Sequence, residues 1–264
     1  MGLEYVRQLA GRGYNIVLAA LPGRNDENGN PTGPPSPEVI CSLMAAKYPG
    51  QDFLPIGIDL ARTESAQELC DRIKAERPDA FVEVLINNAG ILNAKHFRQM
   101  TAPQIQRELL LHNFTTTMLC HYLLPAMKER GKGYVLTVSS LAAWTPFPFV
   151  TTYSATKNFN RTLVRGLRTE YRGTGVKIAT VYFGAVDTPL YKLKPSYRRL
   201  ARRLRVMISP EEAARRALRM LFAGRSGSMP GVVNHIGRFV FALLPSPFVS
   251  RIDRRVSHRM GIDD

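Results

Sequence analysis

A chain of 264 residues, 45% of them hydrophobic, can bury a sizeable core, and one large domain is its simplest organisation. Its three cysteines, Cys41, Cys70 and Cys120, sit far apart in ordinary segments, which argues against a disulfide framework or a metal knuckle and leaves free thiols as the expectation. The net charge of +15 is uneven: residues 1–160 hold 15 Lys/Arg against 14 Asp/Glu, whereas residues 161–264 hold 21 against 7, so the positive field belongs to the C-terminal part and biases it towards anions.

The N-terminus opens inside a helical pattern, residues 3–10, ended by Gly11 and Gly13, and nothing there resembles a secretory signal. Tyr14 to Ala20 is a continuous apolar run of the kind buried on both faces of a parallel sheet. A Pro/Gly/Asn-rich loop follows from Leu21 to Pro37, then a helix from about Ser36 to Lys47 and a strand at Phe53–Ile58 closed by Asp59. A helix over 64–76 leads to a strand at Val82–Ile86, which runs into Asn87-Asn88-Ala89-Gly90. The pattern continues with a long helix over 103–128, a strand at Gly133–Val138, a helix over 153–172 and a strand at Val176–Phe183. Ser209 as N-cap and Pro210 at the first position start a helix over 210–222. Strands alternating with helices of this length predict an α/β fold, a doubly wound parallel sheet with helices on both faces. Ligands of such sheets bind beyond the carboxyl ends of the strands, where Asp59, Asn87, Ser140 and Thr188 fall.

Tyr153 and Lys157 stand four apart at the start of a predicted helix and share one face. A phenol with a pKa of about 10 is a poor base at neutral pH, and a lysine cation beside it stabilises the phenolate. The same pair can donate a proton to a nascent alkoxide. Ser140, after the strand 133–138, is placed to hold a substrate oxygen near Tyr153, and Asn113 is a polar break in an otherwise apolar helix, suited to orienting a water beside Lys157. Singly, each has an ordinary explanation: a solvated Tyr-x-x-x-Lys, a loop serine, a helix-bending asparagine. Together, with Asn-Asn-Ala-Gly after a buried strand, they point to proton-transfer chemistry.

These motifs, with Asp59 and the segment Gly184-x-Val186-x-Thr188, resemble the short-chain dehydrogenase/reductase family over roughly residues 1–225. The resemblance implies a Rossmann-like fold and hydride transfer between NADP(H) and a carbonyl or secondary alcohol. It makes Tyr153 the general acid/base, Lys157 the residue that lowers its pKa and binds the nicotinamide ribose, Ser140 the residue that orients the substrate carbonyl, and Asn113 the last member of the relay. It makes Gly2, Arg24, Asp59, Asn87, Ala89, Gly90, Val186 and Thr188 cofactor contacts, alongside Tyr153 and Lys157. It also implies a homodimer or homotetramer and no metal.

The sequence departs from the family at its start. Family members open with a strand and a turn of the form Thr-Gly-x-x-x-Gly-x-Gly, and Met1-Gly2-Leu3-Glu4 aligns with the last two positions of that turn. The first strand is therefore absent from this chain, which should leave two strand edges unpaired and an apolar slot between them. Two explanations stand: a start assigned at an internal methionine or a fragmentary sequence, and a shortened protein that binds without turnover.

The predicted strand 14–20 ends without the acid that NAD-specific members use for the ribose 2′-hydroxyl, and Arg24 lies close enough to meet a 2′-phosphate, which favours NADP(H) over NAD(H). Residues 189–210 correspond to the family's substrate lid; Lys192 to Arg205 are basic with leucines at helical spacing. Residues 226–264 form a basic amphipathic extension, in which Phe239, Phe241 and Phe248 alternate with Arg238, Arg251, Arg254 and Arg255. That composition suits either a solvated surface or peripheral contact with an anionic membrane. No module for nucleic acid is recognisable. The apolar, basic lid suggests a ketoacyl or sterol-like substrate, and the setting expected is cytoplasmic, with or without membrane contact.

Overall fold

A computed structural model of the chain describes residues 1–26, 31–144, 149–188 and 207–227. The elements run α1 (Gly2–Ala10), β1 (Ile16–Ala20), β2 (Arg24–Asn25), β3 (Pro31–Thr32), α2 (Pro37–Lys47), β4 (Phe53–Gly57), α3 (Ser65–Glu76), β5 (Val84–Asn87), α4 (Ala102–Leu109), α5 (Thr115–Glu129), β6 (Gly133–Ser140), α6 (Thr151–Glu170), β7 (Val176–Phe183), β8 (Ala185–Val186), β9 (Met207–Ile208) and α7 (Pro210–Phe222). The fold is Rossmann-like α/β, as the strand–helix alternation predicts.

All the long strands pair in parallel. β1 pairs with β4, Ile16 opposite Phe53. β6 lies between β5 and β7, with Asn87 opposite Thr137 and Ser140 opposite Phe183. Among the described residues these are two separate sheets, and β1 and β5 each keep an edge with no strand bonded to it. This is the arrangement expected of a doubly wound sheet without its first strand.

The division corrects one expectation. The run 14–20 reads as a strand buried on both faces, yet in β1 only Ile16 is buried and Val17 is 38% exposed. The run is apolar enough to be covered on all sides, but a strand bonded along one edge leaves side chains near the other edge open to solvent.

Helices cover both faces. Tyr5, Val6 and Leu9 of α1, Met44 of α2 and Ala213, Ala217, Leu218 and Leu221 of α7 pack with Leu136, Ala179, Val181 and Phe183 of β6 and β7. The opposite face packs Leu69 of α3 and Leu119, Leu124 and Met127 of α5 against Leu54, Ile56, Val135 and Ile178. Alternate residues of β6 and β7 thus enter opposite layers, as the period of two requires. Half-buried Leu18 on one side of the division and Val84 and Ile86 on the other pack on the same α1 layer, so side chains join the two sheets where backbone hydrogen bonds do not.

Capping sets the helix starts. Ser209 Oγ accepts the Glu212 N–H at 3.2 Å, with Pro210 at the first helical position. Thr101 and Gln104 form a reciprocal capping box at α4. The helix predicted over 103–128 is not uniform: between α4 and α5 the turn Leu110–Phe114 is π-helical, and the Thr115 N–H bonds to the Leu110 carbonyl. The predicted strand 133–138 extends to Ser140 because β7 continues the ladder that far. No helix among the described residues is long and apolar enough to cross a membrane. Lys192–Arg205 and Ile236–Met260 lie outside the described residues.

Candidate active site

The carboxyl ends of β5 and β6 and the first turns of α6 converge on one buried polar region. α6 starts at Thr151, so Tyr153 and Lys157 fall one turn apart, 9% and 6% exposed. Lys157 Nζ lies 5.4 Å from the Tyr153 ring centroid and donates to the Val138 carbonyl at 3.2 Å. Ser139 Oγ donates to the Lys157 carbonyl at 3.1 Å, which ties the end of β6 to α6. Ser140, the next residue and also buried, accepts the Ala142 N–H on Oγ at 3.2 Å and opens the 3-10 turn Leu141–Ala143. Burial pushes the Lys157 ammonium down to about 8, opposed by the charge of Glu108.

The π-helical turn brings two consecutive polar residues, His112 and Asn113, into the interior facing α6. Asn113 Nδ2 donates to the Thr156 carbonyl at 2.9 Å and to Asn160 Oδ1 at 3.4 Å, while Asn160 Nδ2 donates to the His112 carbonyl at 3.1 Å. His112 Nε2 accepts the Ile91 N–H at 3.0 Å, so the ring proton sits on Nδ1 and donates to Thr156 Oγ1 at 2.9 Å. Thr156 Oγ1 donates in turn to the Tyr153 carbonyl at 2.7 Å. The imidazole meets the Tyr153 ring edge-on at 5.7 Å. Burial, and then the nearby Lys157 charge, hold His112 well below the usual imidazole range, so it is neutral here.

Glu108 is fully buried. Its Oε1 accepts the Asn93 N–H at 3.1 Å and Asn93 Nδ2 at 3.2 Å. Sequence reasoning singled out Asn113 as a polar break in an apolar helix; the same signal marks Glu108 and His112, which it passed over.

The segment after β5 passes close to this cluster. A side-chain Cβ at Gly90 would lie 3.0 Å from His112 Nε2, so it would press on the imidazole, and 3.8 Å from Lys157 Nζ, an ordinary contact distance. Asn87 Nδ2 donates to Thr137 Oγ1 at 3.4 Å across the ladder. Gly2 opens α1 facing this loop: a Cβ there would stand 3.2 Å from Asn88 Nδ2.

The remaining predicted residues sit further out. Asp59, beyond the end of β4, takes both guanidinium nitrogens of Arg107, at 2.9 and 3.1 Å, and the Ala61 N–H at 3.0 Å. Burial acts upward on its carboxyl and is outweighed by those donors, which hold it below the usual range. Arg24 lies on the exposed strand β2, where its carbonyl accepts Thr32 Oγ1 at 3.2 Å. Val186 is buried in β8, opposite Ile208, and the Thr188 N–H donates to the Val186 carbonyl at 2.7 Å.

Comparison with known proteins gives the arrangement its context. The model of the short chain dehydrogenase family matches residues 1–198. A very-long-chain 3-oxoacyl-CoA reductase of Anas platyrhynchos is 28% identical over 258 residues, 96% of this chain and 75% of that protein. An inactive hydroxysteroid dehydrogenase-like protein 1 of Pongo abelii is 28% identical over 244 residues, 92% of this chain and 68% of that protein. Among solved structures, a short-chain dehydrogenase from Sphingobium yanoikuyae in complex with NADPH superposes with a TM-score of 0.70 at 22% identity, covering 92% of this chain and 91% of that one.

Proposed function

The chain belongs to the short chain dehydrogenase family, and from that premise we propose that it is an NADP(H)-linked reductase or dehydrogenase acting on the carbonyl or secondary alcohol of an apolar substrate. The observation that carries the reading is Lys157: a 6% exposed cation held 5.4 Å from the ring of a buried tyrosine. Burying a charge is costly, and a fold that needed only packing there would use an apolar side chain.

The donor set fits a dinucleotide. The N-terminus of α1 presents unpaired backbone N–H groups beside Gly2, where a Cβ would crowd Asn88, and Gly90 leaves the floor of the cleft open in the same way. Gly2, Asn87, Ala89, Gly90, Val186 and Thr188 would hold the pyrophosphate and nicotinamide end, Asp59 the adenine, and Arg24 a 2′-phosphate. Bound there, the cofactor supplies the hydride. Tyr153 Oη delivers the proton to the substrate oxygen during reduction, Lys157 stabilises the negative charge left on Oη, Ser140 Oγ holds the substrate oxygen, and Asn113 fixes the α6 backbone beside Thr156. NADP(H) is preferred over NAD(H) because β1 ends without an acid and Arg24 follows it. A ketoacyl thioester or sterol-like substrate accords with the basic, apolar composition of residues 189–210, and the relative from Anas platyrhynchos is named as a 3-oxoacyl-CoA reductase. The proposed form is a cytoplasmic homodimer or homotetramer, and the basic composition of residues 226–264 suits either a solvated surface or peripheral contact with an anionic membrane.

NADPH oxidation against ketones, 3-oxoacyl thioesters and ketosteroids tests the proposal. Turnover should exceed that with NADH, and Tyr153→Phe should lose roughly 10²–10⁴-fold in kcat with cofactor affinity nearly unchanged. A Tyr153→Phe variant that keeps its activity would sink the mechanism.

One observation favours a second reading, a binding protein without turnover. Among the described residues β1 and β5 each keep an edge with no strand bonded to it, and the relative from Pongo abelii is named as inactive. Quenching of protein fluorescence by NADPH with no oxidation of any substrate in the panel would establish that reading.

A further inference from the structure

Lys157 needs a counter-charge. Its hydrogen-bond acceptor, the Val138 carbonyl, is neutral. Among the described residues three titratable groups act on it: Tyr153 on its own helix, with its ring centroid 5.4 Å from Nζ, and, through their fields, His112 and Glu108 on the segment 102–114 packed across from α6. His112 is neutral, because Nε2 accepts the Ile91 N–H and burial disfavours a second ring proton. The only one of these whose ionised form near neutral pH would be an anion is Glu108.

Glu108 is placed unlike a structural carboxylate. It is 0% exposed, and no lysine, arginine or histidine forms an ion pair with it among the described residues. Oε1 is fully engaged by Asn93. Oε2 is buried and has no hydrogen-bond partner among the described residues. An oxygen in that position stays charged only in the field of a nearby cation. Glu108 and His112 also share one task, since they receive the backbone N–H groups of Asn93 and Ile91 from the loop that follows Gly90.

We propose that Glu108 is a positioning residue of the site: its buried carboxylate is the counter-charge that keeps Lys157 an ammonium ion, and through Asn93 it fixes the loop lining the cofactor cleft. The inference rests on the reductase reading for its consequence, the pH range of turnover, but not for its electrostatics. Burial raises the Glu108 pKa, and the Asn93 donors and then the Lys157 charge oppose that rise. Each charge therefore favours the charged form of the other.

The test reads Lys157 directly and needs no turnover. In the full chain labelled with ¹³C at lysine Cε, the Lys157 resonance, assigned by its loss in Lys157→Met, should titrate near 8. Glu108→Gln keeps an acceptor for the Asn93 N–H and removes the charge; the midpoint should fall by about one unit or more. Glu108→Asp should restore most of it. In an active preparation, the high-pH limb of kcat for carbonyl reduction should move down by the same amount in Glu108→Gln. An unchanged Lys157 midpoint in a folded Glu108→Gln chain overturns the proposal. A measurement on the wild type decides if that variant does not fold: with ¹³C at glutamate Cδ, the Glu108 carboxyl must show an inflection at the Lys157 midpoint, and its absence overturns the proposal equally. A shifted lysine in a chain that reduces no substrate would count against the reductase reading alone.

Discussion

Lys157 is held where solvent cannot help it, and its cost should be measurable in stability as well as in rate. Its folded pKa, pushed by burial to about 8, lies below the roughly 10.5 of an exposed lysine. Below about 8 the side chain is charged in both folded and unfolded chains, and the burial penalty is fully present. Between about 8 and 10.5 the unfolded chain still carries the proton that the folded chain has released, so stability rises with pH across that window. The 2.5-unit difference between 10.5 and about 8 corresponds to at most about 3 kcal/mol. Urea denaturation of wild type and Lys157→Met at pH 7.5 and pH 10 should show the wild type gaining on the variant by up to that amount. A difference that does not change with pH would mean that Lys157 is not desolvated.

The helical stretch from Thr101 to Glu129 carries most of the site's unexpected features. Within the π-helical turn the consecutive residues His112 and Asn113 are both buried and both bond to α6, and such turns are frequent at functional sites. The element starts in the capping box of Thr101 and Gln104, with the cap residue about two turns before Glu108. Thr101→Ala removes the acceptor for the Gln104 N–H and should cost about 1 kcal/mol, read as a lower urea midpoint with an unchanged m-value. Because the two cap hydrogen bonds join only Thr101 and Gln104, NADPH affinity should hold; a large loss of affinity would show that the start of α4 is coupled to the loop.

At the scale of the whole molecule the division of the sheet dominates. β6 is bonded on both edges, whereas β1 and β5 are bonded on one among the described residues. Half of their peptide groups depend on side-chain packing alone for shielding from water. Amide hydrogen exchange should rank Val135 to Thr137 of β6 as the slowest in the chain, with Val17 to Ala19 of β1 faster by at least tenfold. Equal protection in β1 and β6 would show that another strand covers the β1 edge in solution.

How much of this was legible beforehand depended on the range of the interaction. The parallel α/β architecture, the cap at Ser209 and the pairing of Tyr153 with Lys157 follow from strand–helix alternation and from spacings within one turn of helix, and those are written in neighbouring residues. The expected open edges came from a family pattern that the chain enters part-way. The sequence by itself therefore determined the fold class and the one-turn spacing of Tyr153 and Lys157. Only the tertiary structure decided that Val17 is exposed, that Leu110–Phe114 turns as a π-helix, and that Glu108 and His112 reach across to the loop 90–93 and to Lys157. Burial of a charge is a property of everything packed around it. No local pattern distinguishes a glutamate on a wet helix face from one that faces a lysine in the interior.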